Sequence, residues 1–294
     1  GGNPWNAIWQ AYQDKRRIIN ISWTGTNGSV AAIQEMVDNG TILILGAGNT
    51  PDGSYHSAYA NIPGVINVSG VDANNEHEST GHVANQWVDV CALSTNVTTT
   101  LPNNTYGGAW GTSFAAPQVA GVVSLILSLN PCLSPAEVEI IIKSTTDPIA
   151  DAAKFPNGVG TGRVNAYKAV LKANGKNGFI VNTGKNIIWE RDEFHTYSNN
   201  IVISSNSSLT IKSKVYFKNN SKIIVEPGAK LILDGCTLTS ACDGFWRGIE
   251  VWGNASKPQL PPYQGIVQLM HGAVIENADE AIYAINIYAT KTIT

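Results

Sequence analysis

Along the first 175 or so residues the apolar positions follow two rhythms in turn. Residues 18–22 (IINIS), 41–46 (TILILG) and 65–71 (VINVSGV) are short, β-branched and almost continuously apolar. Such runs suit parallel strands covered on both faces. Between the first two, residues 29–39 carry Val30, Ile33 and Val37 at helical spacing, and Gly40 is placed to end that helix. A longer apolar helix is expected over 119–129, and Cys91 falls in an expected core strand (VDVCA). Ser134-Pro135-Ala136-Glu137 is a capping box with proline at the first helical position, which predicts a helix to about Ser144. Residues 163–173 read as a further short helix closed by Asn174-Gly175. This alternation predicts an α/β layer structure around a parallel sheet.

From about Asn186 the period falls from 3.6 to 2. Apolar triplets begin at Ile201, Leu209, Val215, Ile223 and Leu231, separated by turn-forming residues 204–208, Asn219-Asn220, Pro227-Gly228 and Asp234-Gly235. No helix signal interrupts them, and no Asn-Gly hairpin dipeptide joins them. Evenly spaced short strands of this kind predict an all-β domain resembling a right-handed parallel β-helix, with a β-sandwich as the competing reading. A weak echo of PGAKLILDGCTLT in HGAVIENADEAIY points the same way. The expected organisation is a first domain over 1–175, a connection over 176–200 and a β-solenoid-like domain over 201–294.

Composition narrows the function. Only 14% of residues are charged, with a net charge of −3, against about 25% charged in an average soluble protein. The polar surface must come from Asn, Ser, Thr and the 28 Gly. A mildly acidic chain has no electrostatic footprint for nucleic acid or an anionic membrane surface. No apolar run in the sequence suggests a transmembrane segment of roughly 18 residues. Four Cys are too few for a disulfide framework. Cys236 and Cys242 either bridge across one turn or stay as two reduced thiols. No Cys/His spacing suits zinc, and neither a metal nor another cofactor is expected. Low charge and 13 Pro lean toward an exported protein.

One segment carries chemistry. Residues 111–121 (GTSFAAPQVAG) set Ser113 among small residues immediately before the long apolar helix. Small neighbours let a substrate backbone approach, and a helix N-terminus favours a developing oxyanion. The competing reading makes Ser113 the N-cap of a buried helix.

The segment resembles the G-T-S-x-A-x-P-x-V-A-G signature of the subtilisin-like serine proteases. Further stretches are similar to the same family: 19–25 (INISWTG), 41–49 (TILILGAGN), 60–72 (ANIPGVINVSGVD) and 160–166 (GTGRVNA). The resemblance implies that Ser113 is the nucleophile attacking a peptide carbonyl. It implies that Asn49 donates its side-chain amide to the oxyanion beside the Ser113 N–H. It also places Ser22, Trp23, Thr24 and Gly25 along the substrate backbone, with Ala47 and Gly48 on the other side of the primary pocket. Trp23 and Thr24 replace the usual small residues, so a narrowed pocket is expected.

In this family the order is Asp, His, Ser, with the Asp in a D-[ST]-G turn and the His opening an H-G-T helix. Neither pattern occurs here. His56, His77 and His82 follow the strand that bears Asn49, and solvated loop positions are expected for all three. A serine hydroxyl without a base is a poor nucleophile, so the chain alone should be nearly inactive. Three accounts fit: a fragment of a longer subtilase, a processed chain working with a separate N-terminal piece, or a degenerate pseudoprotease. The first is favoured, because the resemblance starts abruptly and the β-rich part stops in mid-pattern. The expected parent is a bacterial, exported serine endopeptidase acting on polypeptides. The alternative is a non-catalytic extracellular surface or adhesion protein whose β-helix binds glycan or matrix. Trp246, Trp252 and Tyr263 either form an aromatic sugar-binding patch for it or pack between coils.

Overall fold

The computed structural model describes residues 4–23, 28–50, 54, 56–77, 81–156, 158–176, 178–191, 193, 195–242 and 244–287. The chain divides into two compact units, Gly1–Ala173 and Asn174–Thr294.

In the first unit, α1 (Pro4–Gln13) leads into β1 (Ile18–Ile21), and α2 (Val30–Asp38) separates it from β2 (Ile42–Gly46). Next come β3 (Val65–Val71) and β4 (Val90–Leu93), then a hairpin of β5 (Val97–Leu101) and β6 (Thr105–Ala109). Three α-helices close the unit: α3 (Thr112–Leu129), α4 (Pro135–Lys143) and α5 (Ala166–Asn174). Strands β1 to β4 form one parallel sheet in chain order.

Strand pleating gives successive side chains to opposite faces. Ile19, Ile21, Leu43 and Leu45 join a core with Ile8 of α1 and Ile33, Met36 and Val37 of α2. The other face packs under α3. That helix is long and apolar enough to cross a membrane by length and composition alone, which the sequence pattern had not suggested. Its Ala115, Val119, Val123 and Ile126 are fully buried against protein. Ser29 caps α2 by accepting from the Ala32 N–H, and Gly40, with φ +92°, stands just past its end. The capping box at Ser134 is complete, with Glu137 reaching back to the Ser134 N–H. Helix α5 starts later than expected because Arg163 and Val164 stay extended, bonding Asp147 and Cys91 backbone groups.

The second unit repeats a three-strand theme. β7 (Phe179–Val181), β8 (Asn186–Trp189) and β9 (His195–Tyr197) are followed by β10 (Ile201–Ile203), β11 (Ser208–Ile211) and β12 (Val215–Phe217). Then come β13 (Lys222–Val225), β14 (Lys230–Asp234) and β15 (Thr237–Ser240), and after them β16 (Gly248–Gly253), β17 (Ile266–Met270), β18 (Val274–Ile275) and β19 (Ile282–Asn286). Each strand pairs in parallel with the third strand onward, giving three sheets. Phe179, Ile201 and Ile223 stand in register at intervals of 22 residues. Side chains on one face of each sheet share one apolar core. Within it Tyr197, Phe217 and Trp246 stack, the last two with ring centroids 4.2 Å apart.

Several expectations change here. Residues 176–200, expected as a connection, hold β7, β8 and β9, because Ile187 and Trp189 turn inward to the core while Asn186 and Ile188 face out. The echo between 227–239 and 271–283 is not the pairing register, since Val274 pairs with Thr237. Cys236 is a buried free thiol, so no Cys236–Cys242 bridge forms. Burial pushes the Cys236 thiol up to about 11. Trp246 is buried and stacked, which removes it from any surface patch.

Candidate active site

The site is assembled at the carboxyl ends of the parallel strands, where open α/β sheets place their ligands. Gly111 is the N-cap of α3, with φ +129°. A Cβ there would stand 3.3 Å from Asn49 Nδ2 in a conformation that side-chain-bearing residues rarely adopt. Ser113 therefore lies inside the first turn of the helix and not at its cap, against the competing reading.

Asn49 follows β2. Its Oδ1 accepts the Thr112 N–H at 2.9 Å, while Thr112 Oγ1 accepts the Gly48 N–H at 3.2 Å. A glycine at Gly46 eases the approach, since a Cβ there would stand a tight 3.1 Å from Thr112 Oγ1. With the oxygen of Asn49 engaged, Nδ2 is the end left to donate, and among the described residues it has no partner. Asn49 is exposed and Ser113 half-buried. Thr112 thus orients the amide, a role signalled only by its place in the G-T-S run.

A second clasp involves Pro117. It stands four residues after Ser113 and has no N–H, so the Ser113 carbonyl loses its helical partner. Ser22 Oγ fills the vacancy by donating to the Ser113 carbonyl oxygen at 2.9 Å. In return, Ser113 Oγ donates to the Ser22 carbonyl oxygen at 2.9 Å. Asn20 Nδ2 donates to Ser22 Oγ. The end of β1 is therefore tied to the turn that carries Ser113.

Of the other expected pocket residues, Ala47 and Gly48 are buried and Trp23 is 39% exposed. Thr24 and Gly25 lie outside the described residues. Gln118 Nε2 donates to the Leu93 and Phe114 carbonyls, both at 2.7 Å.

The histidines depart from expectation. His82 is 1% exposed, 2.7 Å from Ser94 Oγ and packed on Trp110. Ser94 in turn accepts the Gly111 N–H on its carbonyl at 2.9 Å. His77 is also buried, beside Ser69 Oγ and against Phe155. Serines on and beyond the core strands gave both rings polar partners, which makes burial tolerable. His56 remains exposed, stacked on Trp87. Among the described residues, no histidine or carboxylate bonds to Ser113 Oγ.

Chemically, a hydroxyl sits at the N-terminus of an 18-residue helix beside an oriented amide donor. Unbonded N–H groups at a helix start favour negative charge, and preorganised donors stabilise an oxyanion.

The family model described as Subtilase family, Peptidase_S8, matches residues 3–178. The chain belongs to the subtilase family. Among its relatives, subtilisin NAT of Bacillus subtilis subsp. natto is 32% identical over 170 residues, covering 56% of this chain and 43% of that protein. An extracellular protease of Xanthomonas campestris pv. campestris is 36% identical over 174 residues, covering 53% of this chain and 28% of that protein. The chain thus spans less than half the length of either relative. The solved patellamide maturation protease PatA superposes with a TM-score of 0.50 at 24% identity, covering 57% of this chain and 66% of that one. That last likeness concerns the fold alone. The subtilisin-like α/β fold expected for the first domain is borne out by the family match.

Proposed function

We propose that this chain supplies the nucleophile and oxyanion-binding half of a serine peptidase site acting on polypeptides. The observation that carries this reading is the lock between Asn49 and α3, in which the Thr112 N–H holds the amide oxygen and leaves Nδ2 as the end that can donate. Ser113 Oγ attacks the scissile carbonyl, its proton passing to a base, and the carbonyl oxygen becomes an oxyanion. Asn49 Nδ2 and the Ser113 N–H bond that oxyanion. Collapse expels the amine and leaves an acyl group on Ser113, which water then removes. Ser22 and Trp23 border the bound substrate backbone, with Ala47 and Gly48 opposite. Export belongs to the same proposal, supported by the low charge and by the extracellular Xanthomonas relative. For the second unit we propose a parallel β-helix, of the right hand that parallel crossovers take. Its support is the regular pairing of every strand with the third one on.

Among the described residues no histidine or carboxylate bonds to Ser113 Oγ to serve as the base, and that makes the reading testable on the chain as it stands. A fluorophosphonate probe should label Ser113 slowly, and free imidazole should speed the labelling by serving as the base. Ser113→Ala should abolish it. Asn49→Ala should slow it by about 10²–10³, a magnitude carried over from subtilisin itself. Labelling that persists in Ser113→Ala, or that imidazole leaves absent, overturns the proposal.

A further inference from the structure

The second unit carries a pocket that the peptidase chemistry does not use. The turns between β10 and β11 and between β13 and β14 are short, spanning 204–207 and 226–229, whereas the whole of 254–265 separates β16 from β17. Insertions in stacked-repeat architectures gather on one face, often the binding face. Between this loop and the two short turns lies a cavity of about 380 Å³. Trp252, Pro262, Pro227 and Ile287 give it apolar walls, and Glu226 and Asn206 give it polar ones.

Trp252 is fixed from behind. Its indole N–H donates to Glu250 Oε2 at 3.0 Å. Glu250 is 5% exposed and is also held by Lys222 Nζ and the Tyr283 hydroxyl. The ring is thus oriented before any ligand arrives, which lowers the entropy cost of binding. Glu226 spends one oxygen on the Ser205 N–H at 3.0 Å. Among the described residues its other oxygen has no partner. Asn206 is exposed in a turn with φ +60° and can both donate and accept.

An aromatic wall with a free carboxylate oxygen and an amide suits a ligand that has an apolar C–H face and several hydroxyls. The carboxylate disfavours anions. A peptide pairing as an added strand finds no edge, because β10 and β13 already have partners on both sides. We propose that this pocket binds a neutral sugar residue of a glycan, packed on Trp252 with its hydroxyls bonded to Glu226 and Asn206. The proposal does not rest on the peptidase reading.

The test uses the full chain carrying Ser113→Ala, so that peptide hydrolysis plays no part. Depletion from solution by cellulose, chitin and starch granules is compared with depletion by acidic pectate and by a proline-rich peptide resin. Retention is expected on at least one neutral polysaccharide. Trp252→Ala and Glu226→Ala should each weaken it about tenfold, the scale of a lost stacking or hydrogen-bonding partner. Because Trp252→Ala removes packing, Asn206→Gly serves as a variant compatible with its left-handed turn and should also weaken retention. Retention on no neutral polysaccharide, retention only on pectate or the peptide resin, or retention unchanged in Glu226→Ala and Asn206→Gly overturns the proposal.

Discussion

The two units solve the problem of positioning side chains in opposite ways. In the first, the bonds around Ser113 join residues 63, 64 and 91 positions apart. In the second, side chains meet partners about 22 positions away, as Ser208 meets Asn186 and Lys212 meets Glu190. Convergence of distant segments creates a unique spot where chemistry can be concentrated. Repetition creates a uniform wall, and function enters it only where the repeat is interrupted. On the two proposals above, the reactive centre lies in the unit with irregular, long-range closure, and the recognition surface where the repeat is interrupted.

The largest expected effect attacks the repetitive unit at its most filled point. Phe217 is fully buried and stacked between Tyr197 and Trp246, so Phe217→Ala should cost about 3–5 kcal/mol. Hydrogen exchange should locate the loss around β9, β12 and β15, while a uniform loss of protection along the chain would blur the contrast between the units. A smaller effect probes convergence. Ser22→Ala leaves the Ser113 carbonyl without a partner and should cost about 1 kcal/mol in urea unfolding, whereas Ser208→Ala, half-buried but losing only a solvent-exposed bond to Asn186, should stay within about 0.5 kcal/mol. Equal effects of the two substitutions would argue against the clasp.

The smallest effect appears only in acid. Asp147 accepts from Lys168, Asn165 and Arg163. These bonds hold its carboxyl at about 2, below the unfolded value of about 3.9. A depressed folded-state value stabilises above the unfolded value, and the contribution is lost as pH falls from about 4 toward 2. Asp147→Asn should therefore narrow the Tm difference between pH 6 and pH 2.5. An unchanged difference would remove Asp147 from the acid response.

Much of this organisation was legible in the residues, for physical reasons that differ by region. Strands β2 and β3 announced themselves because burial on both faces favours Val, Ile and Leu, and β1 because three of its four residues are Ile. Helix α4 did so because the capping box is local. The hairpin of β5 and β6 was missed, although Asn103 and Asn104 carry the positive φ values of a tight turn. Its strands are mostly exposed and lack an apolar stripe. Ser113 and Asn49 were recognised through a motif, and their joint geometry came from the fold. The burial of His77 and His82 was invisible, because it depends on Ser69 and Ser94 arriving from other segments. The clasp by Ser22 was written in Pro117, whose missing N–H leaves a vacancy that here a distant residue fills.

The interval of 22 residues has a consequence for how such a chain can grow. A segment of that length copied in tandem at the turn after Val225 would bring its own inward-facing side chains and its own turn, and the neighbours would meet the same surface as before. A copy one residue longer or shorter would present its polar face to the interior unless a turn absorbed the difference. Length in this unit is therefore a quantised variable, open to change by whole duplications. The first unit, closed by contacts across most of its sequence, offers no comparable step.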